Sequence, residues 1–169
     1  MRKYYIFIWI GLISIVAACT GDGKLTNSAK LCQEFIEEKG YEIVSHEGTH
    51  TYKVSPANLN TLSSEFLWSV QTVSPEEYLG EALVKVEFFV RNHPLDQYFY
   101  GRQPYYLDKT HITFYLFEGE IIGGTSFPAS SEPLNGAYYS LDGKTIEDIH
   151  GSYKSWYKNW MDIIEKVDG

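Results

Sequence analysis

Cysteine is nearly absent from this chain: Cys19 and Cys32 are the only two in 169 residues. No disulfide framework holds such a protein together. Basic residues are short as well, with 14 Lys+Arg against 22 Asp+Glu and a formal net charge of −8. That argues against nucleic acid as a partner, because phosphate binding needs a basic face. It argues equally against a domain lying flat on an anionic leaflet. Motifs that carry chemistry are scarce. There is no Gly-rich phosphate loop, no G-x-S-x-G and no supported Cys–His pair. No cofactor is expected. The one long apolar run, Tyr4 to Val16, is too short for a comfortable membrane span of about 20 residues. The chain shows no internal repeat, no low-complexity stretch and no second domain.

What is present begins with an address. Arg2 and Lys3 form a short positive start, Tyr4–Val16 an uncharged apolar core, and Ala17-Ala18 a small-residue border. This is the pattern of a secretory signal. Val16-Ala17-Ala18-Cys19 resembles a bacterial lipobox, with Val in place of the usual Leu. The resemblance implies that the Cys19 thiol receives a diacylglycerol and that residues 1–18 are then removed. Further acylation, such as palmitate, would follow the same logic, since two or three chains anchor stably where one does not. The expected location is the extracytoplasmic face of the cell membrane. Residues 19–27 read as the lipidated Cys and its polar tether, whose eight residues from Thr20 reach at most ~27 Å. Residues 28–169 read as one domain.

The domain is rich in aromatics, 16% of the chain, so it builds a core without cross-links. Ser28 is the expected cap of a first helix with Leu31, Cys32, Phe35 and Ile36 on its apolar stripe, ended by Gly40. Cys32 on that stripe reads as a small buried hydrophobe. Tyr41–Val54 has strand character with a turn near Glu47-Gly48. Ser55-Pro56 opens a second helix, with Leu59, Leu62, Phe66, Val70 and Val73 at helical spacing. Leu83–Val90 alternates as a half-buried strand. Leu95–Lys109 reads as a long aromatic loop. His111–Phe117 and Glu120–Ile122 flank a tight turn, and Gly123-Gly124 marks a bulge or a close backbone approach. A small hairpin is expected around Asp142-Gly143. A last helix runs from about Ile146 to Val167, weakened at Gly151, and packs on the sheet. The fold class is therefore α+β: an antiparallel sheet of four to six strands, with two to three helices packed mainly on one face.

A wider resemblance rests on Phe66-Leu67-Trp68 with Gln71, Tyr78-Leu79-Gly80-Glu81, Val86–Val90 with Asn92 and Pro94, and Leu116–Gly124. Over roughly residues 31–150 the chain resembles an uncharacterised family of small lipid-anchored extracytoplasmic proteins of Gram-positive bacteria. That family often has an acid after the paired glycines, where this chain has Thr125. The resemblance implies fold and compartment and carries no catalytic residue with it.

Three constellations invite a chemical reading. His46-Glu47-Gly48-Thr49-His50 matches H-E-x-x-H, the pattern of zinc-dependent hydrolases. That chemistry needs a helix, so that both His share one face and Glu acts as base. The flanking strand formers, Gly48 and Thr49 oppose a helix, and the position of an expected third ligand holds Val70. Strand–turn–strand is the favoured reading, in which a hairpin could still pair His46 and His50 as an adventitious metal site. Second, Tyr98, Tyr100, Arg102, Tyr105 and Tyr106 offer stacking faces and donors to a glycan or an envelope protein. Third, Glu76-Glu77 and Glu118 with Glu120 are acid pairs of the kind that glycoside cleavage uses, although an acidic surface produces such pairs routinely. A non-enzymatic binding or accessory module of the cell envelope is the preferred function, and a zinc-dependent hydrolase the alternative.

Overall fold

A computed structural model describes residues 26–99 and 101–168. The element order is α1 (Asn27–Glu38), β1 (Glu42–Lys53), α2 (Pro56–Leu59), α3 (Leu62–Trp68), a 3-10 turn (Pro75–Tyr78), β2 (Ala82–Arg91), α4 (Pro94–Phe99), β3 (Tyr106–Phe117), β4 (Glu120–Ser130), α5 (Ile146–His150) and α6 (Tyr153–Asp168). The four strands form one antiparallel meander in sequence order. The fold is the expected α+β arrangement, with six α-helices among the described residues rather than two or three.

The extra helices arise from breaks. Ser55 caps α2, with Pro56 at its first position. Asn60 then leaves helical geometry, and Thr61 caps a new helix by accepting from Ser64 N–H. Short polar side chains that bond the nearby backbone interrupt an apolar period in this way. Leu62 consequently falls off the stripe and is 63% exposed. The final helix divides at Gly151, whose φ of 76° is the left-handed conformation that ends α5. At the start of the domain Thr26, not Ser28, caps α1.

Direct register partners share a sheet face, which assigns the two sides. Val86, Phe88 and Val90 of β2 and Ile112, Phe114 and Leu116 of β3 point to one face, where Ala29, Cys32 and Ile36 of α1 cover them. Leu83, Tyr52, Tyr115 and Phe117 point to the other. There they pack with Leu59 of α2, Leu67 and Trp68 of α3, and Trp160 and Ile164 of α6. Three helices thus gather at one end of this second face. Cys32 is fully buried, and burial pushes its thiol up to about 12, so it is inert at neutral pH.

Several strand limits differ from the sequence expectation. Tyr41–Val54 contains one bulged strand with no turn. β3 starts at Tyr106, so the aromatic segment is a short helix, a turn and a strand rather than a loop. β4 runs on to Ser130 through residues that look like breakers. Gly124 and Ser126 direct their N–H groups away from β3, to Gln71 and Tyr139. Pro128 shares that parity, and its missing N–H costs no ladder bond on an outer edge. Residues 138–146 form a turn and one bridge, Tyr139 to Ser126, rather than a hairpin.

A buried polar knot joins α4 to β3. Asp96, 7% exposed, accepts from His93 N–H at 3.1 Å and from Thr110 Oγ1 at 2.6 Å. Thr110→Val is isosteric but removes one donor from a buried carboxylate. We expect a loss of about 1–3 kcal/mol, read as a lower urea midpoint with an unchanged slope. An unchanged midpoint would show that the knot contributes nothing.

Candidate functional site

The H-E-x-x-H segment lies on β1, an edge strand, and not on a helix. In a regular strand, positions four apart share a face. Here Glu47 is an inserted bulge residue, so His46 pairs with Phe88 while His50 pairs with Lys85. Those partners are three apart, and the two imidazoles therefore point to opposite faces. His46 packs 4.9 Å from the Phe88 ring. The helical zinc arrangement and the hairpin metal pair are both incompatible with this register.

His50 instead joins a polar cluster on the second face. Glu87, with 16% of its side chain exposed, has Lys85 Nζ at 2.9 Å, His111 Nε2 at 3.6 Å and His50 Nε2 at 3.7 Å. Burial holds the His111 imidazole below its usual value, and Glu87 opposes that shift. Lys85 supplies the counter-charge that Glu87 needs. Among the described residues no group of three or more His, Cys, Asp and Glu is placed to hold a metal ion.

The acid pairs have structural explanations. Glu77 reaches back to Ser74 N–H in a capping box, and Glu76 lies 3.5 Å from Lys166. Glu118 and Glu120 are exposed around the β3–β4 turn.

A cleft of about 460 Å³ runs along β4 between α1 and the 140–149 segment. Its polar walls are already engaged. The Gln71 amide accepts from Gly124 N–H at 2.9 Å and donates to Gly124 C=O at 3.0 Å and Leu67 C=O at 2.7 Å. Lys39 pairs with Asp142 at 2.9 Å. Gln71 thus acts as a surrogate strand that closes the edge of β4.

Another cleft, about 240 Å³, is aromatic and lies at the opposite reach of β4. Phe99 of α4, Tyr106 of β3, Phe127 of β4 and Tyr138-Tyr139 line it, with Glu147 of α5. Phe99 meets Tyr106 at 4.9 Å and Tyr139 at 6.0 Å, and Phe127 meets Tyr138 at 5.8 Å. Burial, with Tyr98 and Tyr106 nearby, raises the Tyr139 hydroxyl above its usual value. Of the five aromatic-segment candidates, Tyr106 lines the cleft. Tyr105 stacks on Tyr106 at 4.9 Å, and Tyr98 lies under the Arg102 guanidinium at 3.8 Å, both beside it. Tyr100 lies outside the described residues, as does Cys19. Phe127, Tyr138, Tyr139 and Glu147 were not legible as site residues. The doublet Tyr138-Tyr139 was the available signal, but only the bridge to Ser126 brings it across to the α4 aromatics.

Comparison of the chain with protein-family models, with curated proteins and with solved structures finds no match in any of the three.

Proposed function

We propose that this protein is a lipid-anchored surface module of the bacterial cell envelope, held at the extracytoplasmic membrane face through Cys19, and that its domain binds rather than transforms its partner. The carrying observation is the pairing of the two cysteines. Cys19 follows a signal-like segment at a small-residue border. Cys32 is fully buried with a raised thiol pKa, and so is unsuited to modification. Among the described residues no helix is long and apolar enough to cross a membrane. The aromatic cleft supports the binding half of the reading, because it offers ring surface to a partner. The partner is expected to be a component of the envelope, a protein, a glycan or a smaller solute.

Replacing Cys19 by alanine tests the anchor. The variant is expected to move from the membrane fraction to the soluble or unprocessed pool, while the wild type partitions into detergent. Equal membrane association of both forms would overturn the reading.

A further inference from the structure

We infer that the aromatic cleft binds a small soluble quaternary ammonium compound, an assignment that rests on the reading of the domain as a binding module. Three features select this class. The first is ring geometry. Phe127 and Tyr138 stand at 85° to each other, and Phe99 and Tyr139 at 70°. Each pair is an edge-to-face contact, so the rings line the cleft at differing angles and form no single flat platform. A pyranose stacks best on a platform, whereas a compact tetrahedral cation touches several walls at once.

The second is charge. Glu147 is the only charged side chain among the described residues lining the cleft, and no cationic residue lines it. Its carboxylate is exposed at the cleft, and among the described residues no ion pair or hydrogen bond engages it. An unpaired acid beside the negative faces of aromatic rings favours a cation, and the formal charge of −8 favours its approach. The third is hydrogen bonding. A primary ammonium seeks several acceptors on entering a cleft, but a quaternary one has no N–H to satisfy. Ring faces therefore desolvate it at little loss. The volume of about 240 Å³ suits one headgroup-sized solute and not a polymer segment.

The test uses the full chain in detergent, with isotope-labelled aromatic residues followed by NMR as choline chloride is added. Saturable shifts confined to Phe99, Tyr106, Phe127, Tyr138 and Tyr139 are expected. The uncharged isostere, with carbon in place of the quaternary nitrogen, should bind about tenfold more weakly, as should choline to Glu147→Gln. Glu147 is exposed, so that variant keeps its fold even if Tyr139→Ala does not. Equal affinity for the isostere, or an unchanged Glu147→Gln affinity, would overturn the cationic assignment. Saturation by N-acetylglucosamine without choline binding would overturn it too, yet leave the binding-module reading standing. Response only to phosphatidylcholine vesicles would overturn the soluble source. A silent cleft overturns this inference, and a silent cleft together with no envelope component retained on the wild-type domain overturns the binding module as well.

Discussion

Replacing Gly124 by alanine is expected to destabilise the domain by about 3 kcal/mol, which lowers its melting temperature by roughly 10 °C. Gly124 faces Phe114 across the β3–β4 ladder. A Cβ placed there meets the Thr113 carbonyl oxygen at a separation no real side chain tolerates, and the Leu141 side chain close behind. The Thr113 obstacle is backbone, so it cannot swing aside. β4 must move away from β3 or from the 140–144 turn. Either shift also pulls Gly124 off the Gln71 amide, stranding buried donors and acceptors. Thermal melts of Gly124→Ala beside Gly136→Ala provide the check, since a Cβ at Gly136 meets only the Phe127 ring at ordinary contact distance. Equal melting points for the two variants would contradict the account of the β4 edge.

Acid is expected to weaken the fold, chiefly through His93. Its side chain is wholly buried. Nε2 lies 3.0 Å from the Leu141 carbonyl, and Nδ1 lies 3.2 Å from Leu95 N–H. Those partners require a neutral ring, with Nε2–H donating and Nδ1 accepting. A second proton on Nδ1 would face another donor. Burial sets the pKa below the free value of 6.5, and attraction from Asp96 and Asp142 only partly offsets it. Tyr41 packs on the ring at 4.8 Å and adds no charge, its hydroxyl held at about 12. The unfolded chain therefore binds the proton first. Stability is full above the unfolded value, falls as pH drops through it, and levels once pH passes below the folded value. His111 acts with the same sign. Chemical denaturation at neutral pH and near pH 5 measures the slope. His93→Gln should flatten it, and a slope as steep as that of the wild type would place the acid sensitivity elsewhere.

These two residues also show what the sequence conveyed. Gly123-Gly124 was readable as a bulge or close approach, and both hold: Ile122 is the inserted residue, and Gly124 nearly touches β3. The strand Leu83–Val90 was readable because alternation is a local signal. His93, by contrast, showed only as a strand terminator before Pro94, because its partners Leu95 and Leu141 include one 48 residues away. The opposite orientations of His46 and His50 were hidden for a similar reason. A bulge is a property of pairing with β2, and nothing in the five residues themselves announces it. The aromatic cleft is the extreme case. Its walls come from α4, β3, β4, α5 and the segment before it, brought together in part by the Tyr139–Ser126 bridge.

Intact mass of the protein purified from its own membranes tests the central claim most directly. The expected result is a chain beginning at Cys19, heavier than its sequence by a diacylglycerol with or without a further acyl group. A water-soluble protein with an unmodified Cys19, or a full-length chain retained in the membrane without lipid, would contradict it.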